Sequence, residues 1–369
     1  MRAHCKMRSY LIIFICIVLA KTDVASQDSF INLLNQNGDS PLHMAASKDV
    51  DFCKLLISAG ADVNAVNKNG NTPLHYAVKE NYGVVKLFLD NGANVNSKDN
   101  IGNTPLFYVP YSNNAEICNL LIQHKANVNE KNYKNSTPLF IAASVGNLDV
   151  IRILLINGAA VNVINEYGNT PIVEALSHGQ AHAAQLLLEQ GAHVDVKNNV
   201  GNIPLHLAAR EGNEELAKVF IAAGANINAQ NINGDTPLHY AVSNRKTSTV
   251  KILIKNHVKI DIRNKQNRTA LHLAAVNNYQ PDIIEILISN GATIDAVDSD
   301  GNTPLLLAIL QNYEKTVRVF LANGADLSVK NNNGNTALHL ALQLNDLNIA
   351  KLIVEAGTNP QLLSNVTIV

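Results

Sequence analysis

The sequence predicts an all-α repeat solenoid, in which each unit is a helix-turn-helix that also carries a short β-hairpin. The first observation is that the phrase Thr-Pro-Leu-His recurs, with variations, about every 33 residues. The second is a Gly-Ala pair that follows most copies of the phrase by about 20 residues. The third is a composition of 47% hydrophobic and 16% charged residues, which is typical of a chain that folds.

The recurring phrase marks the start of the first helix in each unit. At Thr72 the hydroxyl can cap a helix, and Pro73 suits the first helical position because its φ is preset and it has no N–H to satisfy. We number the repeats 1 to 10 by these capping positions. They are Ser40, Thr72, Thr104, Thr137, Thr170, Ile203, Thr236, Thr269, Thr303 and Thr336.

The Gly-Ala pair marks the end of the second helix. In repeat 2 the apolar residues between 84 and 89 suit a helix that is buried on most sides. Gly92 ends this helix, because glycine adopts a left-handed conformation without steric cost. Residues 95–103 then alternate polar and turn-forming types around Gly102, which predicts the short hairpin.

These two markers resemble those of the ankyrin-repeat family. The resemblance is carried by residues 69–75, Asn-Gly-Asn-Thr-Pro-Leu-His, and by residues 91–96, Asn-Gly-Ala-Asn-Val-Asn, with their echoes in the other units. It implies ten ankyrin repeats over residues 35–363, followed by a tail at 364–369. It also implies a non-catalytic protein that binds a protein partner through its hairpin tips and concave face.

Residues 1–20 have the order of a secretory signal peptide. Three cations, Arg2, Lys6 and Arg8, precede an apolar run at 11–20, and polar residues follow it. The sequence predicts cleavage after Ala20, or as late as Ser26, and therefore a secreted or periplasmic protein. The alternative is a membrane-anchored protein that keeps this segment, although the run is much shorter than the roughly 20 residues that span a bilayer.

The charge balance argues against a nucleic-acid partner. Lys and Arg number 29 against 30 for Asp and Glu, and no long run of one sign occurs. Removal of residues 1–20 would take three cations away and leave 26 − 30 = −4. The sequence also lacks the motifs of a nucleophile elbow, a phosphate-binding loop or a zinc protease. We therefore expect no catalytic residues, no cofactor and no enzyme activity.

Six histidines share one position, three residues after the cap. They are His43, His75, His206, His239, His272 and His339. Because adjacent units lie about 10 Å apart, two of these rings cannot bind one zinc ion, so we predict a role in capping and no metal site. Cys53 and Cys118 are predicted to be small core residues, too far apart for a disulfide.

The hairpin tips carry the signal for a binding surface. We define a tip as the two residues that lie three and four places before the cap, and these are polar in the outer repeats. In repeats 3 to 7 each tip includes an apolar or aromatic residue, which predicts a partner-binding ridge. The ridge residues are Ile101, Tyr133, Tyr167, Val200 and Ile232, with Tyr111 nearby at the inter-helix turn of repeat 3. The alternative is that each packs on a neighbouring hairpin.

Three further positions depart from the repeat pattern. Pro110 falls inside the expected first helix of repeat 3, which predicts a bend at residues 107–114. Asn135 and Asn267 replace the usual tip glycine, because asparagine tolerates left-handed conformations. Both, together with Asn365, begin Asn-x-Ser/Thr triplets that would accept glycans in a eukaryotic secretory pathway.

Residues 21–34 are expected to cap the first repeat, through Phe30, Ile31, Leu33 and Leu34.

We expect an exported, monomeric binding module, whose partner would be a host protein if the source is an intracellular bacterium. The alternatives are a membrane-tethered scaffold that keeps residues 1–20, and a regulator of a periplasmic or luminal enzyme.

Overall fold

The computed structural model describes residues 30–79, 81–112, 114–277 and 281–358. The predicted signal peptide, most of the predicted N-terminal cap segment, Asn365 and the tail lie outside these ranges. The chain divides into two compact units, residues 1–166 and residues 167–369. Within each unit, the two helices of a repeat pack on each other and on helices of the next repeat.

The described part of the first unit contains repeats 1 to 4. Its helices are α1 (Pro41–Ala45), α2 (Val50–Ser58), α3 (Pro73–Ala77), α4 (Tyr82–Asp90), the 3₁₀ helix η1 (Pro105–Phe107), α5 (Val109–Ser112), α6 (Ala115–Gln123), α7 (Pro138–Val145) and α8 (Leu148–Ile156). Phe88, Phe107 and Phe140 are fully buried in it.

The described part of the second unit contains repeats 5 to 10. Its helices are α9 (Pro171–Ser177), α10 (Ala181–Glu189), α11 (Pro204–Glu211), α12 (Glu214–Ala222), α13 (Pro237–Ser243), α14 (Thr247–Lys255), α15 (Ala270–Ala275), α16 (Pro281–Ser289), α17 (Pro304–Leu310), α18 (Glu314–Ala322), α19 (Ala337–Gln343) and α20 (Leu347–Thr358). Phe220 and Phe320 are its largest fully buried side chains.

The helix boundaries follow the two sequence markers. Every predicted capping residue stands directly before a helix, which confirms the prediction from the Thr-Pro-Leu-His phrase. Several second helices begin at a different kind of cap, in which Asn or Asp accepts the N–H three residues further on, as Asn81 does from Val84. Gln180, Lys246 and Tyr313 stand at this place without a side-chain cap. Where the Gly-Ala pair is present, the second helix ends before its glycine, which has a positive φ, such as 83° at Gly92.

The predicted β-hairpins are present as tight turns, and no residue in the described ranges forms a β-strand. In repeat 3 two backbone bonds close the turn, since the N–H of Asp99 donates to the carbonyl of Asn103 and the N–H of Gly102 donates to the carbonyl of Asp99, each at 2.9 Å. Repeat 2 has the corresponding bonds from Asn67 to Asn71 and from Gly70 to Asn67, each at 3.0 Å. A five-residue loop of this kind is too short to form a ladder, so each hairpin relies on its neighbours for support.

Repeat 3 has the bend predicted from Pro110. Its first helix is broken into η1 and the four-residue α5, because a proline inside a helix removes one backbone hydrogen bond and clashes with the preceding turn. The carbonyl of Pro110 accepts a bond from the buried side-chain amide of Asn147 in repeat 4 at 3.1 Å. The break is therefore stabilised by the next repeat.

The first described residues contact repeat 1 as one repeat contacts the next. Asn64 donates to the carbonyl of Gly92 at 3.0 Å, and Asn32 donates in the same way to Gly60 at 3.1 Å. Of the four residues expected to cap repeat 1, only Ile31 is buried, whereas Phe30, Leu33 and Leu34 are exposed. A single hairpin-like segment packs only some of its apolar side chains on the adjacent repeat, so the remaining ones face solvent.

Two further details of the fold follow the sequence. Cys53 and Cys118 are buried and free, and burial raises the pKa of both thiols to about 12. Asn135 and Asn267 have φ values of 56° and 60°, as the replacement of a tip glycine requires. None of the described helices is long and apolar enough to cross a membrane.

Candidate partner-binding surface

Neighbouring hairpin tips are joined by backbone hydrogen bonds. In the first unit the N–H of Tyr133 donates to the carbonyl of Ile101 at 3.1 Å. In the second unit the N–H of Ile232 donates to Val200 at 3.1 Å, and Asn199 donates to Tyr167 at 3.0 Å. These bonds bring Ile101 and Tyr133 together in one unit, and Tyr167, Val200 and Ile232 together in the other.

An Asn or Asp five places before each cap holds the tip in shape. In repeat 3 the side chain of Asp99 accepts the N–H groups of Ile101 and Asn103, each at 2.9 Å. The glycine of the tip is required by its neighbour, since Gly102 has a φ of 82° and an added Cβ would lie 2.9 Å from the nitrogen of Tyr133. The backbone that presents the ridge is therefore well defined before any partner arrives.

All six predicted ridge residues are exposed. Their exposed fractions run from 47% at Val200 to 70% at Tyr133. Tyr111 is 62% exposed, but it lies on α5 and not on a hairpin tip. An ion pair between two tip residues beside them, Lys134 to Glu166 at 3.9 Å, is exposed to solvent and contributes little to stability. Each of these tips therefore offers one exposed apolar or aromatic side chain next to one polar side chain.

The recurrence of histidine three residues after the cap is explained by a bridge between repeats. In repeat 2 the Nδ1 atom of His75 accepts the N–H of Thr72 at 3.0 Å and lies 2.9 Å from its hydroxyl oxygen. The Nε2 atom faces the carbonyl of Asn103 in repeat 3 at 3.2 Å. Because Nδ1 accepts, the ring is neutral with its proton on Nε2, which donates to this carbonyl.

Burial keeps these rings neutral. It lowers the pKa of His206 to about 4 and that of His272 to about 4, and it also lowers the pKa of His43, His75 and His239. Both ring nitrogens already have partners in the capping network. Across the ranges that the structure describes, no group of three His, Cys, Asp or Glu side chains could hold a metal ion.

Repeats 3, 4, 5 and 9 have no histidine at this position, which the sequence analysis did not note. Phe107, Phe140, Val173 and Leu306 stand there and are buried. In repeats 3 to 5 the cap hydroxyls of Thr104, Thr137 and Thr170 are buried with no hydrogen-bond partner, whereas in repeat 9 the hydroxyl of Thr303 accepts the N–H of Leu306 at 3.3 Å. The signal was available, because the phrase reads Thr-Pro-Leu-Phe at 104–107 and 137–140. The same three repeats present Ile101, Tyr133 and Tyr167 at their tips.

A group of aromatic residues on the first helices was also missed. The Nζ atom of Lys79 lies 5.7 Å from the ring centre of Tyr76 and 5.2 Å from that of Tyr108. The hydroxyl of Tyr108 donates to Asp99, the residue that shapes the tip carrying Ile101, and burial raises the pKa of Tyr108 to about 12. The tip of repeat 3 and this aromatic group are therefore joined by direct contacts.

Comparison with known proteins agrees with the repeat geometry. A family model described as ankyrin repeats in three copies matches residues 11–99, 81–165, 154–231, 205–298 and 278–363. The first match begins inside the apolar run that was predicted to be part of a signal peptide. No curated protein matches the chain. Since the matches cover nearly the whole sequence and the helix pairs repeat at the same spacing, the chain belongs to the ankyrin-repeat family.

Proposed function

We propose that this chain is a non-catalytic module that binds a protein partner through its hairpin tips. Ankyrin repeats generally mediate protein–protein interactions, and proteins built from them are generally not enzymes. The observation that carries the proposal for this chain is the exposure of Ile101, Tyr133, Tyr167, Val200 and Ile232 on tips whose backbone is fixed. Apolar side chains held in place in the free protein lose little conformational entropy on binding.

The composition of the ridge indicates the chemistry of the partner. Tyrosine supplies a large apolar area together with a hydroxyl group, and it is enriched where binding energy is concentrated. In the first unit the tip that carries Ile101 is joined through Asp99 to Tyr108, which contacts Lys79. A partner for this unit would present apolar side chains to the tips and an acidic group to Lys79. The nearly neutral charge of the chain disfavours a nucleic acid.

Export is a separate part of the proposal and rests on residues 1–20. Their charge and hydropathy order supports a cleaved signal peptide, whereas the family match beginning at residue 11 supports their retention as part of the repeat array. N-terminal sequencing by mass spectrometry, applied to the native protein from the medium and from membranes, distinguishes cleavage of residues 1–20 from their retention. A start near Lys21 or Gln27 supports export. An intact Met1 in the membrane fraction contradicts it and favours the tethered scaffold.

The binding surface is tested with two sets of serine substitutions. The ridge variant carries Tyr133→Ser and Tyr167→Ser, which remove one exposed ring from each unit. The control carries Ile156→Ser and Val219→Ser, one in each unit, because these side chains are 84% and 37% exposed and lie on the second helices α8 and α12, not on the tips. Each purified chain is immobilised, and the proteins it retains from medium or host-cell extract are quantified. A partner of the ridge would be retained by the wild type and the control and lost from the ridge variant.

Stability separates the binding interpretation from a packing role. If the two tyrosines serve binding, the ridge variant should keep the free energy of unfolding within about 0.5 kcal/mol of the wild type, as surface substitutions usually do. A loss above about 2 kcal/mol would show that the rings pack on neighbouring hairpins instead. Equal retention of every protein by the ridge variant and the control would remove the tips from the binding surface. Co-purification of an enzyme whose rate changes on binding would identify the regulator alternative.

A further inference from the structure

The outer face of repeat 10 exposes apolar side chains whose counterparts in repeat 9 are buried. Leu342 on α19 is 52% exposed, whereas Ile309 at the same position of repeat 9 is completely buried. Val354 on α20 is 49% exposed, whereas Leu321 in repeat 9 is 7% exposed. Repeat 10 covers the side chains of repeat 9, and no described residue covers repeat 10.

These side chains line an apolar groove on the end of the second unit. The groove has a volume of about 410 Å³ and is lined by Leu338, Leu342, Leu347, Ala350, Lys351, Val354 and Glu355. Leu347 also lines this groove, whereas the same position holds Glu314 in repeat 9 and Leu148 in repeat 4. A leucine that is 63% exposed at the first position of a helix suits contact with another apolar segment better than contact with water.

The sequence after α20 matches this groove in chemistry. Residues 359–369 follow the Gly-Thr pair at 357–358, and they align with residues 326–336 of the preceding hairpin. Where that hairpin has the polar residues Lys330, Asn333 and Asn335, the final segment has Leu363, Val366 and Ile368. It also has Thr367 in place of the turn glycine, so its sequence does not favour another hairpin.

We propose that residues 359–369 bind back onto this groove and cap the array. Leu362, Leu363 and Ile368 are the side chains that would take the place of a following helix pair. The last described residue, Thr358, follows the groove residue Val354 by about one helical turn. Eleven residues reach at most about 40 Å when extended, whereas the two helices of a repeat lie about 10 Å apart. The segment can therefore cross both helices.

A tethered segment has an advantage over a second copy of the chain. A short flexible connection holds the two surfaces at an effective concentration in the millimolar range, far above the concentration of another molecule in solution. The groove also carries one cation and one anion, Lys351 and Glu355, on its rim, and its lining is otherwise apolar. Residues 359–369 contain no Asp, Glu, Lys or Arg, so their side chains would bring no unpaired charge to this lining.

The test is a double-mutant cycle in the full chain. The segment variant is Leu362→Glu with Leu363→Glu. The groove variant is Leu347→Glu, which introduces the residue that Glu314 provides in repeat 9 and which is favourable at a helix start. Ile156→Glu is the matched control, because this side chain is 84% exposed and no segment is proposed to cover it. Hydrogen exchange of the α20 amides is measured in each variant and in the combination, and sedimentation measures the mass.

The proposal expects each variant to speed exchange in α20 by about tenfold, since this corresponds to the loss of about one buried leucine. The combination should be no faster than either variant alone, because the two substitutions break the same contact. Additive effects, or no effect of the segment variant, would overturn the proposal. A dimer that Leu347→Glu dissociates while the segment variant leaves it intact would assign the groove to a second copy and also overturn it.

Discussion

In this protein one buried histidine side chain is enough to join two neighbouring repeats, as His272 shows. The Nδ1 atom of His272 accepts the N–H of Thr269 at 3.1 Å, and the Nε2 atom faces the carbonyl of Asn302 in repeat 9 at 3.2 Å. One side chain thus provides a hydrogen-bond partner for a backbone N–H at a helix start and for a backbone carbonyl of the following hairpin. This double role explains why the position recurs at a fixed distance from the cap, where a surface residue would be free to vary.

The first residue-scale prediction compares His272→Ala with His339→Ala. The change at His272 leaves a buried N–H, hydroxyl and carbonyl without their partner, so it should lower the free energy of unfolding by about 2 kcal/mol. His339 is exposed, and its Nδ1 atom contacts only its own cap, Thr336. Its replacement should cost less than about 1 kcal/mol. Urea denaturation measures both, and equal losses would contradict the bridging role.

The second residue-scale prediction concerns pH. Burial, the largest cause, lowers the pKa of His206 and of His272 to about 4, from 6.5 in the unfolded chain. The unfolded chain therefore binds more protons between these pH values, and stability must fall as pH drops from about 6.5 to 4. Each ring contributes a slope of up to about 1.4 kcal/mol per pH unit in that window and none above it.

Urea denaturation at pH 7.5, 5.5 and 4.5 checks this dependence. The matched variant is His272→Gln, which removes one titrating ring and keeps a polar side chain at the position. Its stability should be lower than that of the wild type at pH 7.5, and the difference should narrow as the pH falls. An unchanged difference between the two proteins at all three pH values would contradict the assignment of this ring as a neutral bridge.

At the scale of the element, the tip turns decide how the ridge is presented. Gly102 and Gly92 have nearly equal φ values of 82° and 83°, but an added Cβ meets the nitrogen of Tyr133 at 2.9 Å only at Gly102. At Gly92 nothing lies within 4 Å. The same substitution at these two glycines therefore separates the cost of a left-handed conformation from the cost of a clash between hairpins.

We predict that Gly92→Ala lowers the free energy of unfolding by about 1 kcal/mol, which is the cost of a left-handed alanine. Gly102→Ala should cost more than twice as much and should also weaken partner binding, because Tyr133 must move. Urea denaturation of the two variants gives the comparison. A smaller loss for Gly102→Ala than for Gly92→Ala would show that the hairpins of repeats 3 and 4 do not contact each other as described.

The starts and ends of the helices could largely be predicted from the sequence, whereas the contacts between repeats could not. The cap at Thr72 and the glycine at 92 act within a few residues, so their pattern in the sequence predicts where helices begin and end. Pro110 likewise predicted the break in repeat 3. In contrast, the position of Lys79 between Tyr76 and Tyr108 depends on how one repeat stacks on the next. The burial of the Thr104 hydroxyl without a partner depends on the same stacking.

At the scale of the whole molecule, the distribution of histidine bridges matters. In the first unit the bridges start from repeats 1 and 2, and in the second unit they start from repeats 6, 7 and 8. Repeats 3 to 5 and repeat 9 have apolar residues at this position, and repeats 3 to 5 contain four of the six ridge residues. In a repeat array each repeat is stabilised mainly by its immediate neighbours, so the loss of a bridge should weaken the array locally.

Native-state hydrogen exchange should show this difference between repeats. We expect amides of α5 and α6 in repeat 3 to exchange about tenfold faster than those of α13 and α14 in repeat 7, since repeat 3 lacks both the bridge and an unbroken first helix. Both repeats have neighbours on each side, so end effects do not enter. The variant His239→Phe gives repeat 7 the residue found at Phe107 and Phe140 and should speed exchange in α13. Slower exchange in repeat 3 than in repeat 7, or an unchanged rate in this variant, would show that the buried phenylalanines compensate fully for the bridge. In that case the repeats that carry the ridge would be as stable as the other repeats. The natural replacement of histidine by phenylalanine would then have no effect on local opening near the ridge.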